Sequence, residues 1–407
     1  MSNVKVLTDA TGQEILSALG TANRHLETLA AKAELEMMSG EAEDVTFELI
    51  QKVVHAGYAE DIWPVGTVLA DTWYDSVKDT SYSDPLIVVA YQYVELENGE
   101  TVPGMILQRK YATRYTMPFD NYEAFYYAES ALAAGTYYIT VGSTAASNNW
   151  VSGDTWQFTL TEAVPAGGFL AGFRAHRESG KDISSLSVYS YDSDYNLIEE
   201  VSVSSGSSGT SLGEILLVDG DLNADQEVGY GSNRWMTSAY RQYLNSDADA
   251  GEWWEPQETY DLPPDQAASY PGYMSGVSDD LKAVIKKVKV STATNTVTFD
   301  GSFDDTYDYF FLPALEQLYI NPQIEGEGDY WQYWKEAIGL SDPETTGSTN
   351  EDRITYAVNS TSSAQTVRLR SASRGGAGGV WAVNSSGCIY DYGAYYAFRC
   401  APACVIC

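Results

Sequence analysis

The chain has 407 residues, enough for two or three domains that each bury a core. A hydrophobic fraction of 44%, with 13% aromatic residues and 31 Tyr, excludes a disordered chain and favours β-rich structure. The formal net charge of −34 leaves no basic stripe for binding nucleic acid and argues against docking on anionic lipid.

The sequence also bears on where the protein works. No apolar run approaches the roughly 20 residues that span a bilayer, and the first residues, MSNVKVLTDATGQEILSALG, lack the layout of a signal peptide. We therefore expect no membrane insertion, no signal peptide and synthesis in a cytosol. A reducing compartment would keep the four cysteines as thiols, and all four lie in the last 20 residues: Cys388, Cys400, Cys404 and Cys407.

Two helices are predicted near the start of the chain. Residues 12–36 carry apolar side chains at alternating spacings of four and three, which is a short heptad seam. This helix either packs on its own chain or serves for attachment or oligomerisation. A second helix is predicted at residues 44–57, with Asp44 as its N-cap and Gly57 as its stop.

The middle of the chain is typical of β-structure. Runs such as PLIVVAYQYVELENGETVPGMILQRKY alternate in the manner of strands. From about residue 133, short alternating segments with Gly, Asn and Asp turns predict a β-sandwich. The polar stretch 204–213 is typical of an exit linker. Beyond it, the spacing of Trp235, Ala239 and Tyr243 predicts a helix.

Residues 371–398, SASRGGAGGVWAVNSSGCIYDYGAYYAF, have an unusual composition. They contain six Gly, four Ser and four Tyr, and they lack Lys, Glu, Gln and Met. Antibody binding loops are built in this way, because Tyr supplies contact area at low entropic cost while Gly and Ser adapt. The segment therefore predicts a binding surface; the alternative is an irregular Gly-rich loop of a stable domain.

Three segments resemble one family: VTFELIQKVVHAGYAEDIWPVGTVL, SNRWMTSAYRQYLNS and TVRLRSASRGGAGGVWAVNSSG…RCAPACVI. They are similar to the C-type-lectin-fold variable proteins of diversity-generating retroelements, which share a core with the formylglycine-generating-enzyme superfamily. The resemblance implies an α+β chain, a formylglycine-generating-enzyme-like C-type lectin fold with an inserted all-β sandwich and an N-terminal helical segment. The implied parts are a helical attachment or oligomerisation segment 1–43, a first lectin part 44–130, the sandwich 131–213, and a main lectin part 214–407 with a variable region 366–407.

In that family a reverse transcriptase miscopies adenines of a template, so Asn codons become many residues but never Lys, Glu, Gln, Met or Trp. Trp381 would belong to the fixed core. By resemblance, the fixed frame comprises Leu369, Arg370, Ser371, Trp381, Val383, Gly387, Arg399, Pro402 and Ile406. The diversified, ligand-binding positions are expected to be Ser373, Gly375, Gly376, Gly378, Gly379, Ala382, Cys388, Tyr390, Asp391, Tyr392, Gly393, Tyr396 and Phe398. We expect the aromatic members to share one exposed face with the two Gly pairs.

Catalytic and metal constellations are weak. The three histidines, His25, His55 and His176, lie in different segments. The oxidising enzymes of the superfamily hold copper through a C-terminal cysteine pair, but the three-residue gap between Cys400 and Cys404 departs from that pattern. A zinc site with Cys407 would lack a nearby His. We therefore expect no catalytic residues, no metal and no cofactor.

Two further motifs have competing interpretations. DGDLNADQE resembles the start of a calcium loop through Asp219, Asp221, Asn223 and Asp225, but the glycine and the closing Glu of such a loop are missing. A solvated acidic turn fits better. GEWWEP, 251–256, is either a stacking platform for sugars or a pair of core or interface anchors.

The first hypothesis is a phage receptor-binding protein, at a tail tip, tail fibre or virion surface, that recognises a bacterial cell-surface protein or glycan. It would be assembled into virions in the host cytoplasm and joined to other virion proteins through its N-terminal segment. We expect a homo-oligomer, with a trimer as one option. The alternatives are a formylglycine-generating-type metal-dependent oxidase and a purely structural virion component.

Overall fold

A computed structural model describes residues 45–144, 153–172, 186–217 and 225–407. These residues form an α+β structure that is mostly β-sheet with a few short helices, which confirms the β-rich prediction at that level. Helix 12–36, the segment 1–43, and His25 and His176 lie outside the described residues, as does most of the acidic motif 219–225. Within the described ranges, no helix has both the length and the apolarity to cross a bilayer.

The described helices are short. The α-helices are α1 Phe47–Ala56, α2 Ala59–Ile62, α3 Asp225–Tyr230, α4 Ala239–Leu244 and α5 Asp279–Val284. Single 3-10 turns occur at Trp235–Thr237, Tyr273–Gly276, Glu316–Leu318 and Glu351–Arg353, and a π-helical turn occurs at Tyr333–Ala337.

The ends of α1 follow local chemistry. Thr46 is the N-cap, because its hydroxyl accepts a hydrogen bond from the backbone N–H of Leu49 at 3.3 Å. The prediction of Asp44 as the cap was therefore wrong. Gly57 ends the helix as predicted, in the left-handed region with φ +77°.

The described strands are β1 Val68–Leu69, β2 Thr72–Asp75, β3 Thr80–Ser83, β4 Leu86–Glu95, β5 Thr101–Arg109, β6 Tyr126–Tyr127, β7 Gly135–Thr144, β8 Thr155–Leu160, β9 Phe169–Ala171, β10 Ser187–Tyr191, β11 Leu197–Ser202, β12 Ser204–Ser205, β13 Thr210–Leu217, β14 Val288–Ala293, β15 Phe303–Asp308, β16 Thr355–Tyr356, β17 Ala364–Gln365, β18 Val367–Ala372, β19 Gly379–Val383, β20 Ile389–Gly393 and β21 Ala403–Ile406. The pairs β2–β3, β14–β15 and β16–β17 form two-stranded ribbons.

The main body is built around an antiparallel sheet in the order β1-β4-β5-β21. Its C-terminal strand β21 pairs with β5, so that Ala403 lies opposite Gln108 and Ile406 opposite Met105. All four residues of β21 are fully buried. The end of the chain thus lies inside the main hydrophobic core, and side chains of α1, β4, β18 and β19 pack into the same core.

Two four-stranded sheets form a second unit. Their orders are β11-β10-β9-β6 and β12-β8-β7-β13, with β13 parallel to β7. Side chains from both sheets share a separate hydrophobic core, which includes Trp156, Leu170 and Val188. The strands run from Tyr126 to Leu217, beyond both ends of the expected range 131–213.

Two local predictions need correction. The stretch 204–213 is not a linker, because it forms β12 and the start of β13. Despite its polar composition, its backbone pairs with the neighbouring strands β8 and β7. The helix expected from Trp235, Ala239 and Tyr243 is interrupted. A 3-10 turn ends at Thr237, and α4 begins only after Ser238, which caps it by accepting the N–H of Arg241 at 3.2 Å.

Trp381 tests whether the expected frame supports the main core. Its side chain is 7% exposed and belongs to that core. We expect Trp381→Ala to lower the free energy of unfolding by about 3 to 5 kcal/mol, measured by denaturant melts, because it leaves a cavity. The matched control is Tyr93→Ala, at a position 76% exposed, which should change it by less than about 0.5 kcal/mol. Equal losses in the two variants would show that Trp381 does not anchor the core.

Candidate functional site

The unusual segment 371–398 is a sheet with long connections. β18, β19 and β20 form a three-stranded antiparallel sheet. In its register, Gly379 lies opposite Gly393, Trp381 opposite Asp391, and β19 is the central strand. The residues of β19 from Val380 to Val383 are buried, whereas β20 has partly exposed residues after Ile389. The sheet therefore has a buried frame and an accessible edge.

An open cleft of about 780 Å³ lies at that edge. Ten of the thirteen expected ligand-binding positions line it: Ser373, Gly375, Gly376, Gly379, Tyr390, Asp391, Tyr392, Gly393, Tyr396 and Phe398. Two residues outside the expected set complete the lining, Tyr230 at the end of α3 and Gln323. Sequence reasoning missed both, because their own segments carry no composition signal and only the fold brings them to the cleft.

The aromatic side chains of the cleft contact one another in a chain. Ring centroids of Tyr390 and Tyr392 are 5.5 Å apart, and those of Tyr392 and Phe398 are 5.0 Å apart, both edge to face. Tyr396 stacks on Phe398 at 6.0 Å. Tyr390 is 55% exposed and Tyr396 37%. Tyr392 and Phe398 are half-buried, so the expected exposed face is a partly recessed aromatic wall.

Arg368 holds the backbone around this wall. The side chain is fully buried on β18, and its guanidinium lies over the ring of Phe398 at 4.6 Å. It donates hydrogen bonds of 2.8 to 3.1 Å to four main-chain carbonyls: Val380, Tyr392, Gly393 and Tyr396. Burial lowers the pKa of the guanidinium, which still remains charged at neutral pH. The expected frame began at Leu369 and missed this residue, although an Arg alternating with apolar residues in a strand was a usable signal.

Asn233 holds the backbone of the Gly-rich loop, residues 373–379, in the same way. It is fully buried, and its amide oxygen accepts a hydrogen bond from Asn295 at 2.8 Å. Its backbone N–H donates to the carbonyl of Ala377 at 3.0 Å. Its side-chain amide donates at 2.7 to 3.2 Å to three more carbonyls: Ser373, Gly376 and Gly379. The loop is thus fixed through its main chain.

Three expected binding positions lie away from the cleft lining. Ala382 is fully buried on the central strand. Gly378 is buried, and a Cβ built there would collide with the Cβ of Tyr230. Cys388 precedes β20 beside Thr349, and its thiol lies 3.7 Å from the carbonyl of Gly347. Composition could not separate these positions from their neighbours, because packing decides which residues face the cleft.

The other cysteines are core residues. Cys400, Cys404 and Cys407 are buried, and the Cys400 thiol lies 3.8 Å from the Thr113 hydroxyl. Burial raises the pKa of Cys400 and Cys404 to about 12, so both remain protonated at neutral pH, whereas metals bind the thiolate. Among the described residues, no group of three or more His, Cys, Asp or Glu side chains is arranged to hold a metal ion.

The paired tryptophans of GEWWEP are anchors. Trp253 is buried, and its indole N–H donates to the carbonyl of Tyr270 at 2.8 Å. The ring of Trp254 contacts the ring of Tyr195 edge to face, with centroids 5.2 Å apart, and this contact joins the main body to the second unit.

A buried cluster of four carboxyl groups adjoins the segment that carries Tyr230. Its members are Asp120, Glu123, Glu227 and Asp261. Burial raises the pKa of Glu227 to about 7, and burial together with the charge of Glu227 raises that of Glu123 well above its ordinary value. Burial likewise raises the pKa of Asp120 and Asp261. The negative charge of Glu227 opposes ionisation of Glu123, because two like charges that are buried close together disfavour each other.

Comparison with family models gives a match to part of the chain. The model of a domain of unknown function, DUF6273, matches residues 212–407, which include every residue that lines the cleft. Comparison with curated proteins finds no match. Comparison with solved structures finds none either.

Two glycines test which positions of the loop tolerate side chains. Nothing lies within 4 Å of a Cβ built on Gly375, whereas one on Gly378 collides with Tyr230. We expect Gly375→Ser to change the free energy of unfolding by less than about 0.5 kcal/mol and Gly378→Ser to lower it by about 1 to 3 kcal/mol. Thermal and denaturant melts of the two variants would decide. Equal stability would mean that Tyr230 does not confine the loop.

The carboxyl cluster predicts that stability falls as pH rises. A carboxyl whose pKa is higher in the folded state contributes stability below its unfolded pKa and loses it as pH passes the folded pKa. For Glu227 this stability is lost between pH 4.5, its ordinary pKa, and about pH 7, its pKa in the folded state. We expect Glu227→Gln to be more stable than the parent at pH 8, on the order of 2 kcal/mol, and to flatten the decline in melting temperature between pH 5 and pH 8.

The control is Glu252→Gln, at an exposed position, which should keep the parental pH dependence. If the melting temperature of Glu227→Gln declines with pH as steeply as that of the parent, the pH dependence comes from other groups.

Proposed function

We propose that this chain is a ligand-binding protein whose C-terminal surface is diversified by a retroelement on a C-type lectin fold. We further propose that it acts as a phage receptor-binding protein, carried on the virion, that docks on a bacterial cell-surface ligand. The resemblance of its segments to variable proteins suggests this role. The β-rich α+β architecture is compatible with it, and the convergence of ten expected positions on one cleft supports it.

The observation that carries the proposal is how the cleft is held. Arg368 and the Asn233 side chain donate to seven main-chain carbonyls of the segment 373–396, and neither residue belongs to the expected variable set. Every residue type has a backbone carbonyl. Substitution of the cleft side chains therefore leaves these hydrogen bonds in place, which is what a diversified binding site requires.

The alternative of a metal-dependent oxidase is less well supported. It would need Cys400 and Cys404 as reactive thiolates. Both are fully buried in the main core with raised pKa values, whereas reactive cysteines are partly exposed and have lowered ones. The alternative of a purely structural virion component leaves the partly exposed aromatic wall without a purpose, and such patches on proteins usually mark interaction sites.

A fourfold variant tests the proposal: Tyr390, Tyr392, Tyr396 and Phe398 each changed to Ser. The melting temperature should stay nearly unchanged, because the hydrogen bonds that hold this segment go to main-chain carbonyls, which serine keeps. Adsorption of the particle to its host should be lost, because exposed aromatic residues dominate binding energy at interface centres.

The matched control changes four exposed tyrosines elsewhere to Ser: Tyr74, Tyr93, Tyr260 and Tyr330. This variant should adsorb normally. If the first variant is folded and also adsorbs normally, the cleft does not recognise the host. If it unfolds, the wall is part of the core. Independently, the neighbouring DNA should contain a reverse transcriptase gene and a near-copy of the region encoding 366–407 with Asn codons at the variable positions.

A further inference from the structure

The cleft lining carries a single charged side chain, and its charge is negative. Of the twelve residues that line it, Asp391 is the only one with a charged side chain. Its carboxylate is partly exposed and forms no hydrogen bond or ion pair with any other residue in the described ranges. An unpaired carboxylate at the edge of a cleft can accept a donor or a cation from a ligand without first breaking a contact within the chain.

The aromatic side chains of the cleft also favour a ligand with a cationic group. Tyr390, Tyr392 and Tyr396 are at least partly exposed and line the same cleft as Asp391. The face of an aromatic ring attracts a guanidinium or ammonium group within about 6 Å, by roughly 0.5 to 2 kcal/mol depending on desolvation. A cleft that carries one carboxylate and several aromatic rings therefore favours a cationic group over a neutral or anionic one.

Arg368 limits where such a cation could sit. Its guanidinium already lies over the ring of Phe398 at 4.6 Å, and its charge opposes a second cation there. The four backbone carbonyls that accept its hydrogen bonds offset part of that charge. The rings of Tyr390 and Tyr396, the most exposed of the wall, are therefore the better partners.

The net charge of the whole chain also favours a cationic ligand. Its formal net charge of −34 attracts basic surfaces and repels acidic ones over distances of about a Debye length. We propose, on the basis of the proposed receptor-binding function, that the cleft of this variant takes a Lys or Arg side chain of a cell-surface protein as its central anchor. Asp391 pairs with the cation, and the tyrosine rings enclose its stem.

The experiment titrates the purified full chain with Nα-acetyl-arginine amide and with the corresponding citrulline amide, which has nearly the same shape without the charge. Binding is followed by tyrosine fluorescence and by NMR. We expect the arginine amide to bind at least about fivefold more tightly at low salt, and the difference to shrink at about 0.5 M NaCl.

Two variants make the test specific. Asp391→Asn should weaken binding of the arginine amide about fivefold and leave the citrulline amide unaffected, because a carboxylate pairs only with the charged probe. Glu252→Gln removes an exposed negative charge outside the lining and should bind both probes as the parent does. Melting temperatures of both variants should match the parent.

Equal binding of the two amides, no binding of the arginine amide, or no effect of Asp391→Asn would each overturn the inference. If the fourfold aromatic variant still loses adsorption in that case, the proposed function stands and the cleft takes a neutral ligand such as a glycan. If that variant adsorbs normally while the amides behave as expected, the cation site is real but is not the receptor site.

Discussion

The cleft depends on one kind of interaction, a buried side-chain donor bonded to main-chain carbonyls. Arg368 is buried with four carbonyl acceptors on its two terminal nitrogens. A buried guanidinium without acceptors would cost several kcal/mol, so the surrounding chain is held to the path that supplies them. Asn233 applies the same constraint to the glycine loop. The shape of the cleft is therefore set from inside, independently of the side chains that line it.

The strand that carries Arg368 also joins the cleft to the rest of the main body. Arg370, two residues further along β18, donates to the carbonyl of Leu312 at 2.7 Å and to the amide oxygen of Gln317 at 2.6 Å. Next to it, the hydroxyl of Ser371 accepts the N–H of Leu315 at 3.0 Å. Both residues belong to the expected frame. Displacing β18 would break contacts on either side of it, which makes the base of the cleft rigid.

Predictions from sequence succeeded where the signal is local. The periodicity of α1 and the stop at Gly57 depend on residues within one or two turns. The alternating runs after residue 133 are strands because their side chains can be sorted between a core and a surface. The stretch 204–213 was misread because its polar composition is typical of a linker, while its strands form through hydrogen bonds to β7 and β8, which lie far away in sequence.

The sequence by itself determined the composition of the site: a Gly-, Ser- and Tyr-rich segment without Lys, Glu, Gln or Met. Only the tertiary structure decided which of those residues reach the cleft. Gly375 and Gly378 are identical in type and three positions apart, yet one faces open space and the other packs against Tyr230. Tyr230, Asn233 and Gln323 joined the site from other segments. The reason is physical: composition and period report what a residue can do, but exposure and hydrogen-bond partners arise from contacts between segments distant in the chain.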